Sequence, residues 1–175
     1  MKKKYVILGY MGSGKSSVAQ LLAEKLQIAW IDLDAYITSK IGMTITEIFT
    51  QKGEIYFRKI EAAYLQDILQ QPQHCVLSLG GGTPCYAGNM DTLTQTEAVT
   101  TFYLSASIET LTHRLFLEKD QRPLIAHLQT EGELNDYIRK HLFERRFYYN
   151  QADVVVNTNQ KSIEEIAFEI EQHLG

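Results

Sequence analysis

Behind a short apolar run, residues 9–16 read Gly9-Tyr10-Met11-Gly12-Ser13-Gly14-Lys15-Ser16, the spacing GxxxxGK[ST]. Glycines so placed let the backbone curl until successive N–H groups point inward at phosphate oxygens, at the positive end of a helix dipole. Lys15 would then reach the β- and γ-phosphates, and the Ser16 hydroxyl would meet Mg²⁺. The motif needs a strand before it and a helix after it, and the flanking residues have both patterns. The chain is therefore expected to bind a nucleoside triphosphate with Mg²⁺, through Gly12, Ser13, Gly14, Lys15, Ser16 and Ser17.

A second set of residues bears on what happens to the γ-phosphate. The guanine-reading NKxD and switch DxxG motifs of a GTPase are absent. The strand-like run Val76-Leu77-Ser78-Leu79 ends in Gly80-Gly81-Gly82, where many ATPases carry an acid. Carboxylates come instead from Asp32-Leu33-Asp34. In an extended segment, side chains at i and i+2 share a face, so both acids would look toward the phosphate loop. Asp32 suits a water-mediated Mg²⁺ contact. Asp34 could accept a hydrogen bond from a substrate hydroxyl and take its proton, or merely cap a helix starting at Ala35.

Arg58 and Glu61 lie three apart on a helical pattern. They form either a surface pair of little worth or a device in which Glu61 aims Arg58 at an anion. Arg122, in Gln121-Arg122-Pro123-Leu124, is either a solvated loop residue or a cis-acting arginine finger closing onto ATP. Arg145 and Arg146 precede Phe147-Tyr148-Tyr149, and one of them could face the site. Two inward arginines and a base beside a hydroxyl describe a small, hydroxylated anion whose carboxylate is gripped by guanidinium. Gly80, Gly81 and Gly82 lose more backbone freedom on folding than other residues would. A side chain there would fill the space between γ-phosphate and acceptor hydroxyl, so the triplet reads as a backbone wall, with Gly81 its closest contact.

The elements that must position these residues are legible as well. Apolar runs at Tyr5–Leu8, Ala29–Ile31, Cys75–Leu79, Val99–Leu104 and Asp153–Val156 suggest buried parallel strands. Helical spacing runs through Ser16–Leu26, Glu54–Leu69, Ile108–Phe116, Glu133–Tyr149 and Ile163–Leu174. Strands alternating with helices mean an α/β sandwich that binds ligands outside the strands' carboxyl ends. Glu118–Thr130, with Pro123 and charges, reads as a mobile loop or lid. At 175 residues the chain suits one domain with a sizeable core. A net charge of −4 speaks against general binding to nucleic acid or membrane surfaces. Cys75 and Cys85 are too few for a disulfide framework and lack zinc spacing. The basic, short apolar start is too short for a signal peptide or membrane span, so a cytoplasmic location is expected.

Taken together, GYMGSGKS, DLD, FRKIE, LGGGT, QRPL and RRFYYNQAD resemble the shikimate kinase family over nearly the whole chain. The resemblance implies a three-layer α/β P-loop kinase fold with a five-stranded parallel sheet in the order 2-3-1-4-5. It implies one domain, with a substrate-binding helical region over about residues 33–61 and a lid over about 112–130. The activity implied is MgATP-dependent phosphorylation of the 3-hydroxyl of shikimate, on the route to chorismate and the aromatic amino acids, by a monomer. By the same resemblance, Asp34, Arg58, Gly80–Gly82 and an arginine after the lid bind shikimate. Lys15, Asp34 and Arg122 are the catalytic set. Counting back from Tyr149 makes Arg145 that arginine, with Arg146 the alternative; ungapped counting from Ala152-Asp153 puts Glu144 there. Leu79 stands where family members commonly have Thr. Arg114 and residues 157–161 are candidates for the adenine side. A gluconate kinase of the same fold, or a nucleotide sensor without turnover, are the rival readings.

Overall fold

A strand buried on both faces needs no polar side, and every residue of β1 (Lys4–Leu8) is buried in the computed structural model, which describes residues 3–174. Lys4 extends the strand one residue beyond its apolar run because its ammonium escapes the core, donating to the Gln71 carbonyl at 2.7 Å. β1 is the middle of a five-stranded parallel sheet whose other strands are β2 (Ala29–Asp32), β3 (Cys75–Ser78), β4 (Val99–Ser105) and β5 (Val154–Asn157). Their order is β2-β3-β1-β4-β5, the order the family resemblance implies. The alternation of a pleated strand divides the core between two faces. Tyr5 and Ile7 pack with Val18, Leu22, Ile166 and Ile170 of α1 (Lys15–Leu26) and of the last helix (Ile163–Glu171). Val6 and Leu8 pack under the remaining helices.

The register fixes the site's floor. Asp32 pairs with Ser78, and Ser78 with Ile7, so three neighbouring strands end level with one another. The phosphate loop, the DLD segment and the triple glycine thus emerge side by side at the carboxyl edge.

Between β2 and β3 lie three helices: α2 (Leu33–Ile41), α3 (Ile45–Lys52) and α4 (Glu54–Gln70). Gly42 and Gly53 end the first two, and a capping box of Thr44 with Glu47 opens α3. The sequence pattern marks the helical region without these breaks. It also leaves α5 (Asn89–Gln95) unassigned, a single short helix after the 3₁₀ turn at Thr83–Cys85. Because α2 starts at Leu33, the DLD segment is not extended throughout. Asp32 is the N-cap, accepting from the Ala35 N–H at 3.1 Å, and Asp34 sits in the first turn. Capping therefore falls to Asp32 rather than to Asp34.

The helix α6 runs over Ile108–Glu118, so residues 112–118 of the expected lid are helical. Lys119–Gln121 then form a 3₁₀ turn, and Ile125 is fully buried, pinning the middle of the segment to the core. The helix α7 (Glu131–Tyr149) begins with a capping box of Thr130 and Glu133, and the last helix is α8. No helix among the described residues is long and apolar enough to cross a membrane.

Candidate active site

Gly12 and Gly14 carry φ values of +77° and +92°, conformations that side chains rarely adopt, and the chain between β1 and α1 curls as a phosphate loop. It opens onto a cavity of about 600 Å³ lined by Gly12, Gly14, Lys15, Ser16, Asp32 and Asp34, among others. Lys15 Nζ donates to the Tyr10 carbonyl at 2.9 Å, across its own loop. Burial pushes its ammonium down from 10.5 to about 8, with Asp34 opposing. Ser17 lines the same cavity, whereas the Ser13 hydroxyl is buried and finds no hydrogen-bond partner among the described residues. Arg114 donates to the Gly12 carbonyl at 3.2 Å and borders the cavity beside Lys161.

Ser16 Oγ donates to Asp32 Oδ2 at 3.2 Å, and Ser78 Oγ donates to the same oxygen at 2.9 Å. A hydroxyl and a carboxylate beside the phosphate loop are hard oxygens, the donor set Mg²⁺ prefers when phosphates supply its other ligands.

A second cavity, of about 360 Å³, shares Met11, Asp34, Gly80, Gly81 and Arg122 with the first. Its far side is built from Arg58, Glu61, Gly82 and Arg145. Arg58 Nη1 donates to Glu61 Oε2 at 2.9 Å, and Glu61 is only 1% exposed. The other Glu61 oxygen accepts from the Thr83 hydroxyl at 2.7 Å. Tyr86 lies with its ring centre 3.9 Å from the Arg58 guanidinium carbon. A carboxylate buried this way and doubly bonded fixes the arginine's fork instead of leaving it to solvent. Arg145 lines the cavity while Arg146 and Glu144 are exposed outside it, so of the three positions weighed only Arg145 lies at the site.

Asp34 stands where the two cavities join. Burial raises its carboxyl from 3.8 to about 6; Asp32 and Glu61 add to the rise, and Lys15 and Arg58 oppose it. Arg122, half-buried, borders both cavities and is held by Glu118, with Nη2 2.7 Å from its carboxylate.

None of the three consecutive glycines has a positive φ, so backbone conformation does not demand them. Space does. A Cβ on Gly82 would lie 2.7 Å from Arg58 Nη2, and one on Gly80 would lie 3.3 Å from an Asp34 oxygen. Gly80 and Gly81 line both cavities, as a thin partition. Gly82→Ala is therefore expected to weaken binding of the anion in the second cavity and to spare nucleotide binding. Calorimetric titration with each ligand checks this.

Several participants escape the sequence patterns. Ser78 is the only hydroxyl in its strand, a signal that was available. Thr83 and Tyr86 lie in and just after the 3₁₀ turn that follows the glycines, which no sequence pattern marks, and Glu118 lies one helical turn before Arg122. Tyr149 belongs to the aromatic run already noted, but nothing in its spacing points to the hydroxyl's partner, the Gly81 carbonyl.

A sequence model of the shikimate kinase family matches residues 11–175. The chain is 46% identical over 168 residues to the shikimate kinase of Flavobacterium johnsoniae, a match covering 96% of each sequence. The crystal structure of shikimate kinase from Bacteroides thetaiotaomicron is similar with a TM-score of 0.89 at 32% identity, over 98% of both chains. Shikimate kinase from Acinetobacter baumannii, solved in complex with shikimate, is similar with a TM-score of 0.85 at 32% identity, over 99% of this chain and 93% of that one. With two joined cavities on a sheet of the expected order, and relatives matching end to end, the chain belongs to the shikimate kinase family.

Proposed function

We propose that this chain transfers the γ-phosphoryl group of ATP to the 3-hydroxyl of shikimate, releasing ADP and shikimate 3-phosphate. ATP occupies the larger cavity, with Gly12–Ser17 around its phosphates. Shikimate occupies the smaller one, its carboxylate gripped by Arg58 and Arg145 and its ring against Gly80–Gly82. The single observation that carries this assignment is the junction: Asp34, Gly80 and Gly81 border both cavities, so donor and acceptor can meet only there.

The reacting hydroxyl gives its proton to an Asp34 oxygen as its own oxygen bonds to the γ-phosphorus and the bond to ADP breaks. Lys15 lies on the donor side and Arg122 borders both, so together they offset charge spread over the transferring group. Releasing Arg122 from Glu118 would carry only a modest cost, because the pair is partly solvent-exposed and one turn apart. Mg²⁺, when bound, would neutralise charge on the β- and γ-phosphates, held by Ser16 Oγ and, through water, by Asp32. All of these groups come from one chain, which fits a monomer acting on two small molecules, with neither nucleic acid nor membrane as partner. Dependence on ATP fits a cytoplasmic enzyme.

Arg58→Ala should weaken shikimate binding by about 1.5–3 kcal/mol, the range for a hydrogen bond to a charged group. ATP binding should be unaffected, because Arg58 does not line the larger cavity. Titration of the variant with each ligand is the check. The activity itself is tested by coupled ADP release with shikimate, gluconate and nucleoside monophosphates as acceptors. Turnover with shikimate alone is expected; turnover with gluconate instead would move the chain to another small-molecule kinase activity.

A further inference from the structure

The Gly81–Gly82 peptide is held by a side chain that contacts no substrate in the mechanism above. All three glycine carbonyls are occupied. Thr83 N–H donates to Gly80 O at 3.1 Å and Cys85 N–H to Gly82 O at 2.9 Å, both within the turn itself. Gly81 O instead accepts from the Tyr149 hydroxyl at 2.5 Å, across a sequence separation of 68 residues. None of the three glycine N–H groups donates to an acceptor among the described residues. In a trans peptide the N–H points opposite its C=O, and no peptide here is cis. Drawing Gly81 O toward Tyr149 therefore turns the Gly82 N–H the other way. Gly82 lines the smaller cavity, beside Arg58.

Tyr149 is built to hold that carbonyl. Its side chain is fully buried, and its ring centre is 5.1 Å from that of Tyr103 on β4, next to the central strand. Arg145 precedes it by one helical turn on α7, and the guanidinium stands beside the same hydroxyl. One helix end thus carries both a cation of the cavity and the tether of its glycine wall. Glycine peptides reorient at little steric cost, so without a tether the wall has no fixed pattern of donors.

We propose that Tyr149 is a positioning residue that fixes the Gly81–Gly82 peptide so that its N–H is presented to the anionic substrate gripped by Arg145. This rests on the assignment of shikimate to the smaller cavity. The test compares the full-length wild type with Tyr149→Phe, which removes one oxygen and keeps the ring. Shikimate KM should rise about 5–10-fold, the net worth of one hydrogen bond, with kcat and the KM for ATP within about twofold of wild type. Incorporating 4-aminophenylalanine at position 149 restores a donor and should recover most of the loss.

An unchanged shikimate KM in Tyr149→Phe overturns the proposal. So does an equal rise in both KM values with a lowered melting temperature, which would make Tyr149 a packing residue only. If Tyr149→Phe does not fold, a variant with 4-fluorophenylalanine at position 149, which fills the hydroxyl's place but donates no hydrogen bond, is read directly against wild type. A raised KM for shikimate alone supports the tether, and an unchanged one overturns it. The wild-type control keeps the two claims apart, because absence of shikimate turnover there removes the kinase assignment, whereas an active wild type with an indifferent variant removes only the role of Tyr149.

Discussion

Asp34→Asn is expected to lower kcat with shikimate about 10²–10⁴-fold, the range for a lost general base, while changing shikimate affinity only modestly. The amide keeps a hydrogen-bonding oxygen toward the acceptor hydroxyl but cannot take its proton. In the wild type, kcat/KM for shikimate should fall on the acid side with an apparent pKa near 6, where burial holds this carboxyl. A loss confined to shikimate binding, with kcat intact, would remove Asp34 from the proton transfer.

The same substitution has an opposite effect on stability. With its pKa raised from 3.8 to about 6, the folded state binds this proton more tightly than the unfolded chain does. The contribution is fully present below pH 3.8 and is lost as pH climbs through 6, so at pH 7 the fold carries an ionised Asp34 at a cost. Asparagine has no charge to desolvate. Asp34→Asn should therefore melt above wild type at pH 7, with the gap closing below about pH 4; thermal melts across that window read it out. A variant that is more stable and far less active marks strain kept for function.

Lys15→Met carries the second large effect. The loss of one preorganised cation from the transferring phosphoryl group should lower kcat about 10²–10³-fold. Lys15 lines the nucleotide cavity and is absent from the lining of the smaller one, so shikimate binding without nucleotide should be unchanged. Steady-state kinetics together with calorimetric titration of shikimate separate these. Equal losses for both ligands would mean that Lys15 holds the loop itself, through its bond to the Tyr10 carbonyl.

The sequence carries much of this because its signals are local. A phosphate loop is one contiguous motif, and the strands announce themselves as apolar runs legible to within a residue or two. The edge strands β2 and β5, however, are partly exposed rather than buried as expected, and the last helix stops at Glu171, three residues short of Leu174. Family resemblance supplied the strand order. The rest depends on partners distant in sequence. Whether Asp32 or Asp34 caps α2 turns on where the helix begins, and Leu33 gives no sign of it. Glu61 could be read as a surface partner of Arg58 until the fold buries it under Thr83, 22 positions away. Arg145 and Arg146 are adjacent and chemically identical, and only the rotation of α7 sends one toward the cavity and the other to solvent. Tyr149 and Gly81 meet only once α7 packs against the turn that follows β3.

The claim on which all of this depends is that acceptor and donor meet at the Asp34–Gly80–Gly81 junction and that shikimate is the acceptor. Phosphorus-31 NMR of a reaction containing the protein, MgATP and shikimate tests it most directly. The prediction is a single new phosphomonoester, with phosphorus coupled to the ring proton at carbon 3, growing in step with ADP. No phosphomonoester of shikimate, from protein that still binds ATP, would contradict it.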